Sequence, residues 1–154
     1  MIRQGGRSRR RTWLEAGLSA CLLPLALAAC SRDDADARLR QRIDDMRKAV
    51  QARKPAAFMA GVAPDFIGTG GLDHEGVRQL LRLHLLRNAS IGVTLGPLSV
   101  QRDGAQASVV FKAMLSGGDG AGWPDSVRGW TVRSGWRDGD SGWQLLQASW
   151  EPVS

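Results

Sequence analysis

His84 is the side chain best suited to acid-base chemistry, because it falls in the middle of a run, Val77, Leu80, Leu81 and Leu85, that is otherwise aliphatic and helical in spacing. That period points it toward a core or a pocket. There it is either a structural imidazole satisfied by one backbone or carboxylate partner, or a general acid or base that needs a carboxylate beside it. Asp65 follows Pro64 and precedes Phe66 and Ile67, a setting apolar enough to raise a carboxyl pKa, although Pro-Asp is also ordinary turn chemistry in water. Trp123, Trp130, Trp136, Trp143 and Trp150, with no tyrosine, are either sheet core or the walls of a site for a flat ligand. Trp123, in a glycine-rich stretch beside Pro124, is the least suited to a core.

Arg78 and Arg82 stand one helical turn apart, and Arg128, Arg133 and Arg137 recur along one segment, so either set gathers an anion or forms a solvated face. Other chemistries lack their residues. The two histidines are ten positions apart with no HExxH, so no metal is expected. Gly68-Thr69-Gly70-Gly71 lacks the lysine of a phosphate loop, and no Gly-x-Ser-x-Gly elbow exists, so neither a nucleotide cofactor nor serine hydrolysis is expected.

The amino terminus has a separate logic. Arg3, Arg7, Arg9, Arg10 and Arg11 precede an apolar run from Ala16 to Ala29 that ends in Leu27-Ala28-Ala29-Cys30. Charge, then an apolar run shorter than the ~20 residues of a membrane-spanning helix, then small residues is the order of a secretory signal. The last four residues resemble the bacterial lipobox. That resemblance implies cleavage between Ala29 and Cys30, a thioether-linked lipid on Cys30 and a chain held at the cell envelope. Ser31, where an aspartate is the usual inner-membrane retention signal, favours the inner leaflet of the outer membrane. Arg10-Arg11-Thr12-Trp13-Leu14 also looks like a twin-arginine motif, with Glu15 where a basic residue is common, and Sec export stays open. Cleavage would remove +4 of the formal net charge of +6, so the basic whole-chain balance gives no support for nucleic-acid binding. It would also leave no second cysteine for a disulfide.

The expected organisation is therefore a signal over 1–29, a lipidated tether over 30–36 and one domain over 37–154. In that domain Leu39, Ile43, Met46 and Val50 recur at spacings of four, three and four, an amphipathic first helix over 33–53 that Pro55 breaks. A short second helix around Phe58 and Met59 leads to an extended segment from Pro64 to Ile67. Asp73 suits the cap of a third helix from His74 to Arg87, with Asn88 as its stop. The period then changes to two: a strand over 93–100, a hairpin turn at Asp103-Gly104, a strand over 105–115, a glycine-rich loop over 117–125, and strands on either side of a turn at Asp138 to Gly142. Helices first and antiparallel strands second is an α+β plan, in which the sheet must curl around the helices into a cone with a pocket.

That order, closing on Asp138-Gly139, Trp143-Gln144-Leu145 and Trp150, resembles the nuclear transport factor 2-like superfamily over residues 36 to 152. The superfamily contains ketosteroid isomerases, dehydratases, SnoaL-like cyclases and many noncatalytic domains. The resemblance implies three helices packed in a strongly curved sheet, with Asp65 or Asp125 the nearest carboxylates to His84. Two functions follow as expectations. One is a noncatalytic domain that binds an apolar small molecule or an envelope protein while its lipid holds it to the membrane. The other is an isomerase- or dehydratase-type enzyme using a His/Asp pair in a pocket walled by Trp123, Trp130 and Trp136.

Overall fold

A computed structural model describes residues 24–118 and 126–153, with side chains from Asp33 onward. In chain order these form α1 (Pro24–Gln51), α2 (Pro55–Met59), β1 (Val62–Gly68), a short 3-10 turn (Thr69–Gly71), α3 (His74–Arg87), β2 (Ser90–Leu95), β3 (Ser99–Asp103), β4 (Gln106–Gly118), β5 (Ser126–Gly139) and β6 (Gly142–Pro152).

The inner face of α1 follows the helical period closely. Ala35, Leu39, Ile43, Met46 and Ala49 are buried, while Val50 is only half-buried. All of these buried residues but Ala49 pack with Val109 on β4, Trp136 on β5 and Trp143 on β6 in one core cluster, joined by Val62 and Phe66 of β1. The indole N–H of Trp143 donates to the Ala35 carbonyl at 3.0 Å, tying the sheet to the early part of α1. On the outer side of α1, Arg47 and Lys48 each approach Asp44 to 2.7 Å, and hydrogen bonds from Lys48 first and Arg47 second hold its carboxyl below the ordinary range.

The helix ends in a clamp. Arg53 takes a left-handed conformation at φ 58°, with the amide of Lys54 returning to the Ala49 carbonyl at 2.8 Å, which closes the last turn of α1. A non-glycine residue held there costs on the order of 1–3 kcal/mol. Its guanidinium donates to the carbonyls of Leu85 at 2.6 Å, Asn88 at 2.5 Å and Ala89 at 3.1 Å, acceptors that the end of α3 would otherwise leave to water. One arginine thus joins the ends of two helices.

The third helix has the bounds its sequence signals predict. The Asp73 carboxylate accepts from the Gly76 amide at 2.7 Å, and Asn88 is the terminal residue. Its packing is shallow, since only Leu85 is buried while Leu80, Leu83 and Leu86 are 52%, 43% and 84% exposed.

The strands run β1-β6-β5-β4-β2, with β3 also on β4. The sheet is mixed rather than wholly antiparallel, because β1 lies parallel to β6 with Val62 beside Leu145. The expected single strand over 93–100 is two strands, both along β4, broken at Gly96-Pro97-Leu98, because Pro97 has no N–H to continue a ladder. The hairpin turns stand where expected, with Gly104 and Gly142 at φ 57° and 76°, the left-handed region that favours glycine. Ala107 and Val109 sit opposite Trp136 and Ser134, and a bulge between Gly135 and Trp136 bends β5 where it meets β6.

Substitutions at two positions test this packing. Leu39→Ala, at a site fully shielded from solvent, should lower the unfolding free energy by about 2–5 kcal/mol in urea titration. Arg53→Ala keeps the strained φ and loses the clamp, whereas Arg53→Gly loses the clamp and relieves the strain. The alanine variant should therefore be the less stable of the two by about 1 kcal/mol; a glycine variant as unstable as the alanine one would remove the strain argument.

Candidate functional site

The interior is apolar. Among the described residues Ser134 is the one buried polar side chain, and it is committed: its hydroxyl donates to the Val109 carbonyl at 3.1 Å and accepts the Trp136 indole N–H at 2.9 Å. No buried side-chain nitrogen or oxygen among the described residues lacks a partner. Nor do three or more His, Cys, Asp or Glu among them gather as a metal ion would require.

The residues singled out from sequence are not brought together. Trp136 is 4% exposed and belongs to the core, so it walls no open pocket. Trp130, six positions back along β5, is half-buried. Trp123 and Asp125 lie outside the described residues, as does everything before Pro24, and the side chains of Ala29 and Cys30 are likewise outside them.

His84 is exposed, contrary to its expected place facing a core. Five of the residues from Leu80 to Leu86 are leucine, so the apolar stripe covers more than one side of the helix and its period alone does not choose the buried line. Contacts choose it: Leu85 is buried and Val77 packs against the core, which turns His84 outward.

Asp65 is also corrected. It lies on β1 and is exposed, with its two carboxylate oxygens accepting from the Arg137 guanidinium at 2.8 and 3.0 Å. The Arg137 hydrogen bond is the largest influence on it and holds the carboxyl below its ordinary value, the reverse of the rise an apolar setting would cause. Asp65 in turn raises Arg137. This arrangement keeps Asp65 ionised and engaged, which suits it poorly to abstract a proton.

Two clefts open on the outside. One, of about 460 Å³, runs between α1 and the β2 edge. Its charges are largely engaged, since Arg47 holds Asp44 and Arg40 donates to the Leu98 carbonyl at 3.2 Å. The other, of about 370 Å³, lies between α2 and α3. His74, Arg78 and Arg82 form its α3 wall, and Pro55, Ala56, Met59 and Ala60 the facing wall. The basic pair was visible in the sequence. His74, four residues before Arg78, continues the same row and was not recognised, although its spacing was there to be seen.

No family model and no curated protein matches the chain. Solved structures do. A nuclear transport factor 2-like protein with a cystatin-like fold from Novosphingobium aromaticivorans superposes with a TM-score of 0.71 at 14% identity, over 86% of this chain and 90% of that one. From the same organism, a structure named as a candidate scytalone dehydratase gives 0.68 at 10% identity, over 79% and 89%. A Bdellovibrio bacteriovorus structure gives 0.65 at 13% identity over 75% of this chain, which spans only 40% of that protein. The chain has the nuclear transport factor 2-like, or cystatin-like, fold.

Two expectations follow from the exposed positions. His84→Leu should change the unfolding free energy by no more than about 0.5 kcal/mol, as for other surface substitutions; a larger loss would mean that the imidazole is packed. Because the folded carboxyl of Asp65 is depressed, its pairing stabilises at pH values above the ordinary carboxylate pKa of about 3.9 and is lost as pH falls through the folded value. The small difference in Tm between the protein and its Arg137→Gln variant should therefore hold from neutral pH to about pH 5 and close in stronger acid. A difference that persists unchanged at pH 2 would contradict the pairing.

Proposed function

We propose that this chain is an envelope lipoprotein whose nuclear transport factor 2-like domain binds or presents rather than catalyses, held at the periplasmic face of the outer membrane by lipid on Cys30. The observation that carries the noncatalytic part is the character of the interior: Leu39, Ile43, Met46, Val109, Trp136 and Trp143 fill it, and no titratable side chain is buried among the described residues. A group tuned for general acid-base catalysis is commonly shifted by such burial. The tether rests on the sequence, where the ordered charge, apolar run and Leu27-Ala28-Ala29-Cys30 fit a lipoprotein signal. Among the described residues no helix is long and apolar enough to cross a membrane.

The competing reading is an isomerase or dehydratase. The names of two structural neighbours, both candidate dehydratases, favour it. Against it stand His84 and Asp65, both on the surface, with Asp65 bound to Arg137.

A lipid at Cys30 also suggests an orientation. Midway along its length α1 is fastened to the β5–β6 turn, through Arg38 to Asp138 at 3.0 Å and Arg42 to the Ser141 carbonyl at 3.2 Å. Anchoring at Cys30, about two helical turns before Arg38, would hold this side of the domain toward the bilayer. Two or three acyl chains, at about 0.8 kcal/mol per buried methylene, make attachment effectively permanent, whereas a single chain is marginal.

Metabolic labelling with an alkyne palmitate tests the tether. The unaltered chain should label and sediment with membranes through high-salt washing, and Cys30→Ser should do neither while its precursor stays uncleaved. Labelling and retention of Cys30→Ser at the level of the unaltered chain would overturn the assignment.

A further inference from the structure

We propose that the cleft between α2 and α3 binds a small amphipathic anion, with its charged oxygens held by Arg78 and Arg82 and its apolar part lying on Pro55, Ala56 and Met59. The inference names a ligand class for the binding reading above and rests on that reading. It does not rest on the lipid tether, so the cleft can fail to bind while Cys30 is still lipidated.

Spacing comes first. His74, Arg78 and Arg82 are each four residues apart on one 14-residue helix, so they stack along one side of α3, each about 6 Å further along the axis. All three line the same cleft. Like charges at this spacing repel and weaken a helix by a few tenths of a kcal/mol. The chain does little to offset this within itself. Arg78 has Glu75 at 3.5 Å, both side chains well exposed, and Arg82 has no ion-pair or hydrogen-bond partner among the described residues.

Several other arginines are committed within the chain. Arg53 caps α3, Arg137 holds Asp65 in a fork and Arg38 reaches Asp138. The Arg82 guanidinium keeps its planar donor edge open beside a concavity, the geometry that meets a carboxylate or phosphate two oxygens at a time.

The opposite wall supplies the second half of the recognition. Pro55, Ala56, Met59 and Ala60 carry no charge and no side-chain donor or acceptor of ordinary strength, so an inorganic anion would satisfy one wall and leave the other idle. A molecule with an anionic head and a short apolar body uses both. At about 370 Å³ the space is at the small end of ligand sites, which suits a medium-chain or aromatic acid. The same head chemistry is available from two sources, a free organic acid or the headgroup region of an anionic phospholipid.

The purified chain mixed with phosphatidylcholine nanodiscs provides the test, with arginine Nε signals followed by NMR. Decanoate should shift the Arg82 signal saturably. Arg82→Gln should raise the Kd for decanoate about tenfold, judged by the Arg78 signal, whereas Arg133→Gln on the exposed part of β5 should leave it unchanged. Inorganic phosphate should bind at least tenfold more weakly than decanoate. If discs containing phosphatidylglycerol produce the Arg82 shift without decanoate, and Arg82→Gln removes the Arg78 shift they cause, the bilayer is the source of the anion and the cleft assignment stands. No response to either probe, equal affinity for phosphate and decanoate, or equal losses from Arg82→Gln and Arg133→Gln would each overturn it.

Discussion

The seat of α1 in the sheet is the contact on which the rest of the domain depends. Ala35, Leu39, Ile43 and Met46, spaced by three and four residues, bring the helix down on Val109, Trp136 and Trp143, and the Trp143 indole closes the joint by donating to the Ala35 carbonyl. A fully buried side chain of this kind contributes about 1.5–3 kcal/mol, so this stripe outweighs any exposed ion pair in the molecule. The surrounding features suit that seat. The bulge at Gly135 and Trp136 bends β5 where the second tryptophan must turn inward, and the Ser134 hydroxyl accepts the Trp136 indole N–H.

Filling the inside this way sends polar chemistry outward. The carboxylate of Asp65, the imidazole of His84 and the basic row of α3 are all on the surface or in open clefts, and for Asp65 it is the hydrogen bond from Arg137, not burial, that sets the direction of its shift. The third helix has little of α1's hold on the core, and Arg53 compensates by capping its last carbonyls from the end of α1. A fold of this kind hosts many unrelated activities, so its functional meaning lies in the side chains it leaves available. The cleft proposed above, beside α3, is one place where it leaves them available.

Much of the architecture was legible in the residues. Asp73 and Asn88 marked both ends of α3 through cap chemistry, and alternation from Ala107 to Leu115 marked the inner face of β4, because each signal is local. The parallel pairing of β1 with β6 was not legible, since it joins Val62 to Leu145 across most of the domain and no short pattern records it. Pro97 signalled the break between β2 and β3, but the strand period ran through it unnoticed. His84 was misplaced for a different reason: in a helix so rich in leucine, only tertiary contact decides which line is buried. For Asp65 the turn-carboxylate reading agrees with its exposed position, and what no local pattern could show is its partner, Arg137, 72 residues away.

The indole N–H groups offer the most direct measure of whether α1 keeps the interior closed. Trp143 donates to α1 itself and Trp136 to Ser134, both buried, whereas Trp130 and Trp150 are half-buried. Hydrogen exchange followed by NMR in rising urea should show the indole protons of Trp143 and Trp136 exchanging only with global unfolding, with the free energy given by the urea titration, and those of Trp130 and Trp150 exchanging well before it. A Trp143 indole that exchanges as readily as that of Trp130 under native conditions would mean that α1 lifts from the sheet and opens the interior, and the account of a filled, noncatalytic core would be wrong.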